Sequence, residues 1–158
     1  MGQAVVHGFG KKLMQGIEAE KILDTHLAQD FEVRPVSREQ QRHGIDRCLI
    51  DKKGRAWLVE YKADWTASRT GNAFIETVSV DRENKPGWVH TCQADYLFYY
   101  LPNDLLVYVF TPRKLRGRLK QWETVYPTAE AHNEGYKSRG VLVPLHELEK
   151  SANHIINM

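Results

Sequence analysis

A mixed α/β fold, a β-sheet flanked by helices, is what the sequence predicts, and three observations predict it. Segments with helical periodicity and segments with strand alternation interleave along the chain. Residues 104–111, DLLVYVFT, are nearly continuous in apolar character, as in a strand buried on both faces. Residues 44–62, GIDRCLIDKKGRAWLVEYK, read as a β-hairpin with a polar loop that ends in glycine.

Composition limits the classes. At 158 residues the chain predicts one domain, 1–158, long enough for a proper core. It is 42% hydrophobic and 27% charged, ordinary for a globular protein. No run approaches the ~18 apolar residues of a membrane span, and the N-terminus lacks a charged-then-apolar signal pattern. Cys48 and Cys92 have no metal-ligand spacing, so a reducing compartment is the simplest reading. Together these predict a cytoplasmic protein without a membrane partner. The net charge is only +2, so a nucleic-acid role needs a local basic patch.

From the N-terminus, Phe9 to Ala28 has helical periodicity. At about 100° per residue, Phe9, Leu13, Ile17, Leu23 and Leu27 gather on one side. Glu20 falls within that arc, where a carboxylate must be paired or coordinated. It either bridges a neighbour such as Arg34 or is a third acid directed at the hairpin. Ser37 to His43 is a polar loop. Its Arg38 and Arg42 contact phosphate or simply face solvent, and His43 is either a water-assisting group or exposed.

The hairpin strands are Ile45–Ile50 and Ala56–Lys62, rich in residues that suit a pleated, half-buried surface. If Ile50 pairs with Ala56, Cys48 faces Leu58 and Asp46 faces Glu60. Opposed side chains sit ~4.5–5.5 Å apart at Cβ, and two carboxylates so placed repel. A cation between them relieves this. Lys62 lies on the same face of the strand, but a hard divalent ion, Mg²⁺ or Mn²⁺, suits two carboxylates better. Such an ion beside a lysine is what phosphodiester hydrolysis needs. The plainer reading is an exposed hairpin with scattered charges.

Residues 63–71 are turn-rich. Ala73–Val80 is a third strand; beside the Glu60 strand it would let Glu76 reach a metal, and otherwise Glu76 is a surface residue. Residues 81–87 form turns. Trp88 to Leu101 reads as an aromatic helix stopped by Pro102, its aromatic stripe mostly core. After the apolar strand, Pro112 opens a helix. That segment carries Arg113, Lys114, Arg116, Arg118 and Lys120 and no acid between them. Single-sign clustering in a nearly neutral chain favours phosphate contact over a solvated face. Residues 124–139 read as a loop or flap, Val141–Val143 as a final edge strand, Pro144–Lys150 as a short helix, and the tail as frayed.

Gly44-Ile45-Asp46 followed by Val59-Glu60-Tyr61-Lys62 resembles the PD-(D/E)xK nuclease signature, with Ile45 where that signature often has proline. The resemblance implies a restriction-endonuclease-like mixed β-sheet flanked by helices. It implies that Asp46, Glu60 and the Tyr61 carbonyl bind Mg²⁺ or Mn²⁺ and that Lys62 assists catalysis. It also makes Gln93 a candidate supporting residue, on the helix after the Glu-x-Lys strand. Gly16-Ile17-Glu18-Ala19-Glu20, then a short strand at Phe31–Val36 and the Asp46 strand, resembles the archaeal-type Holliday junction resolvases. That branch implies Glu20 as an active-site acid that binds or orients the metal and its water, four-way-junction DNA as substrate and a homodimer. Other members of the superfamily, restriction or repair nucleases, and a DNA-binding module without catalysis are the alternatives.

Overall fold

The computed structural model describes residues 2–158, with side chains from Lys11 onward. Its first element is a long helix, α1 (Gly2–Leu27). The buried ridge of α1 is Ala19, Leu23 and Leu27, one row at i, i+4. Leu13 and Ile17, expected on the apolar face, are 56% and 47% exposed. Before Ala19 the helix borders a cavity, at Lys12, Gln15 and Gly16, instead of a packed sheet. Phe9 falls outside the described side chains.

Strand β1 (Glu32–Pro35) and a single-turn helix α2 (Arg38–Arg42) lead to the hairpin of β2 (Arg47–Ile50) and β3 (Ala56–Ala63). The polar loop expected at 37–43 is thus partly helical. Ser37 and Gln40 form a capping box, each side chain accepting the other's backbone N–H. The hairpin register is the expected one, Ile50 opposite Ala56 and Cys48 opposite Leu58.

After β3 come α3 (Ala67–Thr70), β4 (Asn72–Val80), β5 (Lys85–Pro86), α4 (Trp88–Thr91) and β6 (Tyr96–Leu101). The chain ends with β7 (Leu106–Phe110), α5 (Pro112–Val125), β8 (Thr128–Asn133), β9 (Tyr136–Pro144), α6 (Leu145–Ser151) and β10 (His154–Asn157). Among the described residues, ten strands form two sheets, one ordered β1-β2-β3-β6-β7-β10 and the other β5-β4-β9-β8. The first is mixed: β3 and β6 are parallel and its other pairs antiparallel.

Several elements depart from the sequence reading. The expected aromatic helix 88–101 is one helical turn, α4, followed by strand β6. Both faces of β6 are buried: Leu97, Tyr99 and Leu101 enter one core, Phe98 and Tyr100 the other. Continuous apolar character therefore marks a central strand here, not a helix. Strand β4 does not lie beside β3; β6 does, and β4 belongs to the second sheet. The expected 124–139 flap is the end of α5 and the β8–β9 hairpin. Val141–Val143 lies in an interior strand, flanked by β4 and β8. The tail is also ordered: β10 pairs with β7, and Met158 N–H donates to Leu105 O at 2.9 Å.

The six-stranded sheet separates two cores. On one face α1 packs Leu23 and Leu27 with Leu49, Val59, Phe98, Tyr100 and Val109. On the other, α5, α6 and the second sheet supply Leu115, Trp122, Leu148, Ala73, Ile75 and Val141. Among the described residues, no helix is long and apolar enough to cross a membrane.

Candidate active site

Pairing of β2 with β3 ends at Arg47 and Val59, so residues 60–63 have an open edge. Asp46 closes that edge at one point. Its backbone N–H donates to Val59 O at 2.8 Å, and its Oδ2 accepts the Tyr61 N–H at 2.7 Å. A strand residue turns its N–H and C=O to the same side. The Tyr61 carbonyl therefore faces the same gap as Asp46. Glu60 alternates to the opposite face from Tyr61, with Lys62 beside it.

Glu60 is 5% exposed. Its Oε1 lies 2.7 Å from Lys62 Nζ, while Oε2 is buried without any partner. Burial raises the Glu60 carboxyl above its ordinary value, and Asp46 and Glu20 add to the rise against the pull of Lys62. Burial works against the Lys62 charge, but Glu60, Asp46 and Glu76 outweigh it and raise the ammonium, which stays protonated. Lys62 Nζ also sits 5.8 Å from the centroid of the Trp88 ring, a cation–π contact.

Gly44 makes the cluster possible. It has φ +71°, and a Cβ there would come within 2.9 Å of Cys92 Cα and 3.2 Å of Glu60 Oε2. Only glycine combines that φ with so close an approach.

Glu20 points toward the site but is engaged. Its Oε2 lies 3.2 Å from Arg47 Nη2. The partner is Arg47 and not Arg34, which pairs with Glu32. Asp24, one turn on from Glu20, takes Arg47 Nε at 3.1 Å and the Tyr61 hydroxyl at 3.0 Å. Neither Asp24 nor Arg47 stands out in the sequence reading, although the i, i+4 spacing of Glu20 and Asp24 is a usable signal.

Glu76 stays near the site from the second sheet. Ala73 and Ile75 turn into the core, while Asn72 and Phe74 line a cavity beside Lys62. Glu76 follows their alternation, accepts a 3.4 Å hydrogen bond from Trp88 N–H, and is raised by burial against the charge of Lys62. Gln93 is not on a helix. Its side chain is exposed, and only its backbone N–H reaches the neighbourhood, donating to His43 O at 2.9 Å.

Arg38 and Arg42 are exposed on α2, which leads directly into Gly44. Of the α5 residues, Arg113 and Lys120 are exposed, and Lys114 and Arg118 are half-buried. Arg116 Nη1 is occupied, donating to Val89 O at 3.4 Å and Cys92 O at 3.3 Å. It ties α5 to the segment that flanks Gly44.

Among the described residues, no three His, Cys, Asp or Glu side chains stand together as a ready metal-binding group. The donors that do converge are two carboxylates and one carbonyl. Glu60 Oε2 is an acceptor without a donor, and the carboxyl is raised chiefly by burial, with Asp46 and Glu20 adding to the rise against Lys62. Hard oxygen donors of this number fit Mg²⁺, which keeps several waters. Comparisons of the chain with protein-family models, with curated proteins and with solved structures gave no match.

Proposed function

We propose that this protein is a divalent-metal-dependent nuclease that hydrolyses DNA phosphodiester bonds. One observation carries the reading: Asp46, buried Glu60, the Tyr61 carbonyl and protonated Lys62 converge where β3 has an open edge. Asp46, Glu60 and Tyr61 O would hold Mg²⁺ or Mn²⁺. The ion, when bound, would polarise the scissile phosphoryl group and acidify water. Lys62 holds its proton at Nζ, so it serves as a cation and donor to charge developing on the phosphate, not as a base. Glu20 is the acid positioned to orient water, its carboxylate held by Arg47. Arg38, Arg42 and the exposed cations of α5 would contact the backbone of the DNA.

The narrower form of this reading is a restriction-endonuclease-like core acting as a homodimer on four-way junctions. The order of Glu20, Asp46 and Glu60-x-Lys62 on a helix and hairpin supports it. The second sheet and the strand at 96–101 are additions to that order.

A cleavage assay with Mg²⁺ on labelled four-way junction, linear duplex and single strand tests both forms. Wild-type protein is expected to cut at least one substrate, and Asp46→Asn to bind it without cutting. Paired symmetric nicks in the junction alone would favour the narrower form. Binding without cutting by the wild type would leave a DNA-binding module instead.

A further inference from the structure

Next to the proposed metal donors lies a cavity of about 740 Å³ whose lining includes Glu20, Tyr61 and Lys62. It opens between α1, the end of β3 and the outer face of the second sheet. Its size is that of a pocket for a nucleotide-sized ligand. Five aromatic side chains line it: Tyr61, Trp65, Phe74, Trp88 and Tyr99. Gln15 and Asn72 supply side-chain amides. The Trp65 indole Nε1–H is buried without an acceptor.

The aromatic walls are held in place. The Phe74 ring lies against Gly140, where a Cβ would come within 2.8 Å of it. Trp88 packs against Tyr99 with ring centroids 6.2 Å apart. Gly87 seats α4 on β4, since a Cβ there would fall 2.3 Å from Glu76 O. The cavity is therefore a rigid aromatic slot with side-chain amides at its wall. Flat π-faces with a few hydrogen-bonding groups are what stack and read an extruded or unpaired nucleobase. A base paired within a duplex has no exposed face to offer, whereas an unpaired one has two.

We infer that this cavity takes one unpaired nucleobase of a DNA strand whose adjoining phosphate reaches Lys62. The inference rests on the nuclease reading and names its substrate class: DNA with an unpaired nucleotide at the cut.

The test uses full-length protein in EDTA and follows tryptophan fluorescence. The probes are a single-stranded DNA oligonucleotide, the same strand with abasic residues, and the matching duplex. The base-containing strand is expected to quench the signal and to bind roughly tenfold or more tightly than the abasic strand, the scale of one stacked base. Phe74→Ala and Trp65→Leu should weaken the base-containing strand alone. Unchanged affinity for the abasic strand would show that both variants are folded. Equal binding of base-containing and abasic strands, or no binding, overturns the pocket. So does an equal loss on both strands in the variants. Cleavage in Mg²⁺ is read separately. Base-dependent binding without cleavage keeps the pocket and sinks the nuclease. Cleavage that ignores abasic substitution keeps the nuclease and sinks the pocket.

Discussion

Glu60 is a carboxylate held where a carboxylate is costly. It is buried, one oxygen is bonded to Lys62, and the other has no donor. Burial, with Asp46 and Glu20 behind it, raises its pKa above the unfolded value. Between the unfolded and the folded pKa the native state therefore binds more protons than the unfolded state. Stability from this group is full below the unfolded pKa and falls as pH rises through the folded one. Glu60→Gln removes that loss. In EDTA the variant is expected to melt above wild type at pH 7–8, with the gap closing toward pH 4. A calorimetric pH series measures it, and a variant less stable at neutral pH would show that the Lys62 ion pair outweighs burial.

At the scale of elements, α5 combines two roles that look alike in sequence. Arg113 and Lys120 are exposed, while Arg116 bonds the carbonyls of Val89 and Cys92. Arg116→Ala should cost about 1–2 kcal/mol in chemical denaturation through the lost hydrogen bonds. Arg113→Gln with Lys120→Gln should stay within about 0.5 kcal/mol of wild type. The same double change should lower the salt slope of DNA binding by about 0.9 per lost phosphate contact. A double variant with an unchanged slope would make the exposed side of α5 a solvated face. Charge clustering is visible in the sequence, but which cation is consumed by packing depends on where α4 ends.

For the whole molecule, the C-terminal residues close the sheet. Asn153 N–H donates to Val109 O, its side chain accepts Thr111 N–H, and β10 covers β7. Deleting residues 153–158 should remove several bonds worth about 1 kcal/mol each and lower Tm by about 10 °C, at about 2–4 °C per kcal/mol. A thermal melt of the truncated chain decides it. An unchanged Tm would mean the tail adds nothing to the fold. The tail was unreadable from its own residues because SANHIINM has little strand pattern and is recruited by the exposed edge of β7.

The hairpin register from Cys48–Leu58 to Ile50–Ala56 and the helix opened by Pro112 were legible in the sequence. Each depends on neighbours a few residues apart, through alternation, periodicity or turn chemistry. The role of Tyr96–Leu101 was not legible, because a run buried on both faces carries no period by which strand and helix differ. Nor was the outward turn of Leu13 and Ile17, which lie to one side of the packed row Ala19, Leu23 and Leu27. The tertiary structure alone paired Glu20 and Asp24 with Arg47, gave Gly44 its close approach to Glu60, and set Glu76 and Phe74 beside Lys62 from a second sheet. Those contacts join residues far apart in the chain, and only the packing of whole elements brings them within reach.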